Sequence, residues 1–251
     1  MNPAQIGTNN NCKCAYGKNY HATIRLTLKC TQTCSHCCFE CSPQKETHMS
    51  VDMAKKIALF LVKNKINSTN LMGGEIFCNP NWREILDVLV PATKYTRIVS
   101  NGDWAINGEK FAEYLTKFNN CYVSLSKDKW HTNKNIIKAK NLLIKNKILY
   151  NISNLKESEF NLVPIGRAEF SSGLYSMFGC YCYNPEKHYS FLIDEVGKIF
   201  KCDFGVWDYD YIYNYLTGGF KARFKEFNKV FYGQFMASCS RCIRGYELYC
   251  K

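Results

Sequence analysis

Between residues 20 and 165 the spacing of apolar positions switches repeatedly between two periods. Thr23-Ile-Arg-Leu-Thr-Leu-Lys29 alternates apolar and polar residues as a half-buried strand does. Residues 51–64 then carry Val51, Ala54, Ile57, Ala58 and Leu61 at helical spacing, behind Ser50 as a candidate N-cap. The unit recurs. A strand around 70–72 precedes a helix over 82–92 opened by Asn79-Pro80, strand 96–100 precedes helix 109–118, and strand 121–126 precedes helix 134–146. Two further short strands are predicted at 148–152 and 160–165. Such alternation builds a parallel sheet with helices outside it, so the expected fold class is α/β, a partial (β/α)6 TIM-like barrel. Chemistry in such folds gathers at the C-terminal ends of the strands.

From about residue 170 the pattern changes. Residues 188–193 and 198–202, joined by Asp194-Glu-Val-Gly197, read as a β-hairpin with glycine in its turn. A basic amphipathic helix over 220–235 leads to Cys239-Ser-Arg-Cys242. The expected organisation is an irregular segment 1–21, a barrel 22–169, and a small cysteine-rich hairpin-plus-helix subdomain 170–251 packed against the barrel.

Composition supports a folded core: 46% of the 251 residues are hydrophobic, enough for one full domain with a small appendage. The longest apolar stretch, Ile57-Ala-Leu-Phe-Leu-Val62, falls far short of the roughly 20 residues a membrane helix needs. The N-terminus has no signal-peptide core, and a soluble cytoplasmic protein without a membrane partner is expected. A formal charge of +12 raises the question of a nucleic-acid partner. Against it, many lysines sit on helical surfaces such as 132–140, and no stacking aromatics or recognised binding motif surround the basic residues.

Fifteen cysteines change the picture most. In a chain of this size in a reducing compartment they point to metal rather than to a disulfide framework. They cluster as Cys12 and Cys14; Cys30, Cys34, Cys37, Cys38 and Cys41; Cys180, Cys182 and Cys202; and Cys239, Cys242 and Cys250. Cys78 and Cys121 stand apart and read as buried packing residues. Cys30-Thr-Gln-Thr-Cys34-Ser-His-Cys37 puts three thiolates on one loop, which can hold three irons of a [4Fe–4S] cube and leave the fourth open to a ligand. Cys38 and Cys41 read as small buried residues or free thiols beside it. His36 is expected to pack over the cluster, with His131 and His188 at the surface.

This CxxxCxxC loop, at the end of the first predicted strand, resembles that of the radical SAM superfamily. The resemblance implies that S-adenosylmethionine (SAM) chelates the open iron of a cluster on Cys30, Cys34 and Cys37. It further implies that the reduced cluster cleaves SAM to a 5′-deoxyadenosyl radical that takes a hydrogen atom from substrate. Gly73-Gly74-Glu75, after the second strand, resembles the family's GGE motif, whose backbone and acidic group receive the SAM amino group. Ile76 departs from it, because the family has proline there. Ser100-Asn101-Gly102, then Ser124 and Ser126, then Arg167 within Pro164-Ile-Gly-Arg-Ala168, end the third, fourth and sixth strands and resemble the family's ribose, carboxylate or substrate contacts.

The C-terminal cysteines resemble the SPASM extension or its shortened twitch form, implying one auxiliary iron–sulfur cluster on Cys182, Cys202, Cys239 and Cys242, with Cys180 a rival to Cys182 and Cys250 a spare. A four-cysteine zinc site is the other reading of these spacings. The size and layout are similar to the aminocyclitol dehydrogenase branch of butirosin biosynthesis. The leading expectation is therefore a radical SAM oxidoreductase or rearrangement enzyme acting on a small polar metabolite or a peptide residue. A flavodoxin- or ferredoxin-type electron donor would reduce the cluster, and the auxiliary cluster would accept an electron or fix substrate. The alternatives are a peptide maturase, crosslinking or epimerising a ribosomal peptide, and a zinc-stabilised RNA-binding module.

Overall fold

A computed structural model describes residues 19–132, 134–154 and 188–200. β1 (Asn19–Arg25) leads through the cysteine loop to α1 (Val51–Lys63), followed by β2 (Ser68–Met72), α2 (Trp82–Leu89), β3 (Tyr95–Ser100), α3 (Glu109–Leu115), β4 (Cys121–Lys127), α4 (Ile136–Lys145) and β5 (Tyr150–Asn154). The hairpin strands are β6 (His188–Ile193) and β7 (Ile199–Phe200). The order across the sheet is β5-β4-β3-β2-β1-β6-β7, with every neighbour parallel except the β6–β7 pair. β1 to β5 alternate with helices as the periods predict, and the sixth parallel strand, β6, comes from the segment expected to form a separate hairpin; together they make the α/β fold of a partial barrel.

Ala22 and Ile24 of β1, Leu71 of β2, Ile98 of β3, and Val123 and Leu125 of β4 all lie in one core with the apolar stripes of the helices. Successive residues of a strand point to opposite faces. The intervening residues therefore line the face turned away from the helices, and apart from Met72, Val99 and Leu192 they are of a different kind: Thr23 and Arg25, Asn70, Arg97, Tyr122, Ser124 and Ser126, Asn151. A parallel sheet with a greasy outer face and a polar inner face leaves its interior for chemistry.

Local signals hold where the sequence placed them. Ser50 caps α1 by accepting from the Met53 amide at 3.1 Å. Gly197 takes φ +85° in the hairpin turn, a backbone conformation that costs a residue with a Cβ. β1 differs from expectation at both ends, starting at Asn19 and stopping at Arg25. Alternation continues to Lys29, but beyond Arg25 the chain exchanges partners: Met49 donates to Leu26, Leu28 to Thr47, and Ser42 to Leu28. The cysteine loop thus returns to pair with its own base.

β6 extends the sheet on the far side of β1, in register from Asn19↔His188 to Ile24↔Ile193, and Phe191 meets Phe60 of α1 edge-on with ring centroids 6.2 Å apart. The hairpin is therefore continuous with the barrel sheet. Its turn is tied down by Arg25, whose Nε donates to Glu195 at 2.6 Å while its guanidinium lies 4.6 Å from the centre of the Phe39 ring in the cysteine loop.

Asn79 joins three segments. Fully buried, its Nδ2 donates to Leu26 O at 2.9 Å and Met49 O at 3.0 Å, and its Oδ1 accepts from the Asn81 amide. Asn79→Ala would remove three buried hydrogen bonds, leaving the Leu26 carbonyl only the Met49 amide and depriving the Met49 carbonyl and the Asn81 amide of this partner, and a loss of about 3 kcal/mol in denaturant-measured stability is expected.

Candidate functional site

Cys30 and Cys34 are buried and Cys37 is half-buried, on one loop just past β1. Burial pushes the Cys30 thiol up to about 12, with the charges of Glu75, Cys34 and Cys78 adding to it against a bond from the Gln32 amide. A thiolate there needs a cation close by. Cys41, also buried, holds its amide 3.4 Å from Cys37 Sγ, and its thiol is raised by the hydrogen bond to Cys37 and by burial. Cys121 is buried as expected. Cys78 is half-buried rather than buried, close enough to Cys30 for its charge to act there and to Glu75 for that carboxylate to raise its own thiol. It follows Glu75 by one short turn, which brings it to the face where the strands end.

Residues 72–75 continue beside the base of the cysteine loop, with the Gly74 amide on Thr27 O and the Glu75 amide on Lys29 O, both at 2.9 Å. The approach is so close that a Cβ at Gly74 would lie 2.2 Å from Lys29 O, and one at Gly73 2.7 Å from Thr27 O. Glycine at both positions is thus a steric requirement. Phe77 anchors the segment beyond them, packing edge-on against Trp82 and Phe111.

Glu75 is 1% exposed. Its Oε2 accepts from Ser100 Oγ at 3.0 Å and the Asn101 amide at 2.9 Å, while Oε1 is buried without a hydrogen-bond partner among the described residues. Desolvation, with the Asp103 charge adding to it, outweighs those two bonds and a weaker one from the Phe77 amide and pushes the carboxyl up to about 8. Asn101 Nδ2 donates to Thr31 Oγ1 at 3.0 Å and lies 3.7 Å from Cys30 Sγ. The structure so brings together Cys30, Gly73, Gly74, Glu75, Ser100 and Asn101, all at strand ends.

Ser124 and Ser126 lie on the inner face of β4, where Ser124 Oγ accepts from Arg97 Nη2 at 2.8 Å. Arg167, the sixth strand at 160–165, the helix at 220–235, and Cys12, Cys14, Cys180, Cys182, Cys202, Cys239, Cys242 and Cys250 lie outside the described residues.

Two features escaped the sequence reading. Asp103, just past Gly102, accepts from Thr31 Oγ1 at 2.7 Å, Gln32 Nε2 at 2.8 Å and Asn135 Nδ2 at 2.9 Å, fastening the cysteine loop to the start of α4. Burial acts to raise its pKa, but the bonds from Asn135, Gln32 and Thr31 hold it below the usual carboxylate range. Secondly, His131 is not a surface histidine. Its Nδ1 lies 2.8 Å from Asp128 Oδ1, and with His36 they form a group whose ligand-capable atoms all fall within 4.8 Å. His36 stacks on Trp130 at 5.0 Å. Asp128-x-x-His131 was the available signal, and only the fold brings His36 to it.

A buried thiol loop beside a glycine pair and an inward carboxylate, all at the ends of parallel strands, is matched by the Radical SAM superfamily model over residues 24–163. The chain belongs to the Radical SAM superfamily. Among similar proteins, the antilisterial bacteriocin subtilosin biosynthesis protein AlbA of Bacillus subtilis (strain 168) is 39% identical over 82 residues, 33% of this chain and 18% of AlbA. YydG of the same organism is 30% identical over 95 residues, 36% of this chain and 30% of YydG. The chain therefore matches less than a third of the length of either relative. A crystal structure of BtrN in complex with AdoMet and 2-DOIA superposes with a TM-score of 0.57 at 14% identity, covering 89% of this chain and 91% of BtrN, a likeness of fold. No helix among the described residues is long and apolar enough to cross a membrane.

Membership in this superfamily implies a [4Fe–4S] cluster and SAM, and the residues present fit both. Cys30 becomes a thiolate only beside a cation, as iron provides, and Glu75 Oε1 is a buried acceptor that awaits a donor such as an amino group.

Proposed function

We propose that this chain is a radical SAM oxidoreductase or rearrangement enzyme that acts on a residue within a peptide, its cluster held by Cys30, Cys34 and Cys37. When bound, the cluster and SAM supply a 5′-deoxyadenosyl radical for hydrogen abstraction. Gly73 and Gly74 let the backbone approach the loop, Glu75 receives the SAM amino group, and Ser100 and Asn101 hold the Glu75 carboxylate in place. Ser124, Ser126 and Arg167 are assigned to SAM or substrate. Cys182, Cys202, Cys239 and Cys242 are assigned to one auxiliary iron–sulfur cluster that takes up an electron or fixes substrate, and a flavodoxin- or ferredoxin-type protein is the assigned donor. The observation that carries the reading is the orphaned Glu75 Oε1 beside the buried thiols. The peptide substrate rests on the likeness to AlbA, a bacteriocin biosynthesis protein.

Iron and acid-labile sulfide per chain, measured after anaerobic reconstitution, test it. The wild type is expected to carry about eight irons, falling to about four when Cys30, Cys34 and Cys37 are all changed to Ala, with 5′-deoxyadenosine formation abolished. About four irons, all lost in the triple variant, would remove the auxiliary cluster from the proposal. Zinc without iron would overturn the whole of it.

A further inference from the structure

Across the inner face of the sheet the ladder registers align Thr23, Asn70, Arg97 and Tyr122 on four adjacent strands, with Ser124 and Asn151 side by side one step toward the C-terminal ends. Three side-chain atoms in these two rows, Thr23 Oγ1, Arg97 Nε and Asn151 Oδ1, are buried without a hydrogen-bond partner among the described residues. Folded proteins rarely leave buried polar groups unmet, and such groups on the inner face of the sheet mark places where a ligand completes the bonding.

Among the described residues the charge on that face is also unmatched. None of the six parallel strands contains an aspartate or glutamate. The carboxylates near their C-terminal ends are engaged elsewhere: Asp103 by Thr31, Gln32 and Asn135, Asp128 by His131, and Asp194 and Glu195 by Arg25. Glu75 is bound to Ser100 and the Asn101 amide. Among the described residues Arg97 meets the neutral Ser124 hydroxyl and no carboxylate, and a guanidinium so placed presents a planar fork suited to two oxygens of one anion.

We propose that Arg97 is a specificity site that holds a carboxylate of the substrate, from an acidic side chain or a C-terminus, inside the barrel. This rests on the reading above, in which a peptide enters the barrel. The Ser124 hydroxyl fixes one arm of the guanidinium and leaves Nε to the ligand.

The test uses cluster-loaded, SAM-bound full chain and titration calorimetry with N-acetyl-glutamyl-methylamide as probe, against its glutaminyl counterpart and against methyl phosphate. Saturable binding of the glutamyl probe, at least about tenfold tighter than the glutaminyl one, is expected, lost in Arg97→Met and partly kept in Arg97→Lys. Equal affinity for the two acyl amino acid probes, no binding, or a preference for methyl phosphate would overturn the proposal. So would an Arg97→Met protein that loses SAM together with the probe, because the guanidinium would then serve the cofactor. If Arg97→Met does not fold, Arg97→Gln and Arg97→Lys carry the comparison. SAM cleavage by the reduced wild type, measured separately, reports on the underlying reading: its absence sinks that reading, whereas cleavage without probe discrimination sinks the carboxylate site alone.

Discussion

Gly74→Ala is expected to lower the melting temperature by roughly 10 °C and to cost the chain the iron of the Cys30–Cys37 loop. A Cβ at this position would lie 2.2 Å from Lys29 O and 2.8 Å from Cys30 Cβ. Nothing flexible can yield, because the obstructing atoms are the backbone at the base of the cysteine loop and the first cysteine itself. Relief requires moving that segment off residues 72–75, which breaks the Glu75 amide bond to Lys29 O and shifts Cys30 from its place beside Asn101. Overpacking of this kind costs about 3 kcal/mol or more when backbone must move. Stability and iron content should therefore fall together. An Asn79→Ala protein offers the contrast: it is expected to lose similar stability without a methyl pressed against Cys30, and to retain more iron at a temperature where both remain folded. Differential scanning with parallel iron assay separates the two, and a Gly74→Ala chain with wild-type iron would show that the close approach is dispensable.

What was legible in the sequence was local. Alternating periods gave the order of strands and helices, Ser50 announced its cap, and Asp194-Glu-Val-Gly197 announced a turn, because each depends on residues within a few positions. Glu75 could be named from its glycine pair, but its burial could not, since it arises from Ser100 and Asn101 some 26 residues on. The pairing of β6 with β1 spans about 170 residues and has no local sign; the hairpin reads the same whether it stands alone or extends the sheet. Leu28 looked like strand because its alternation persists, while its actual partners, Thr47 and Ser42, depend on where the cysteine loop returns. Asp103, the His36–Asp128–His131 group and Arg97 were missed for the same reason: each is an ordinary polar residue until the sheet sets it beside others.

Glu75→Gln should stabilise the SAM-free protein at neutral and alkaline pH and impair its cofactor binding. Burial pushes the carboxyl from its ordinary 4.5 to about 8 in the folded chain, while the unfolded chain titrates near the ordinary value. Between those two values the folded state retains a proton the unfolded state has lost, so this group's contribution to stability falls as pH rises from about 4.5 and levels off above about 8. The full difference is of order 4 kcal/mol. Glutamine cannot ionise, and its oxygen can still accept from Ser100 Oγ and the Asn101 amide. The stability of Glu75→Gln minus that of wild type should therefore be about 1 kcal/mol or less at pH 5 and reach several kcal/mol at pH 8, measured by denaturant titration of cluster-loaded protein without SAM. A difference that is flat with pH would mean that the carboxylate is already solvated or paired. The same substitution replaces the orphaned acceptor oxygen by a donor, so SAM affinity should drop by roughly 10- to 100-fold, the worth of a hydrogen bond to a charged group. Stability gained where affinity is lost is what a residue held in an unfavourable state for its ligand would give; a merely structural glutamate would move both in the same direction.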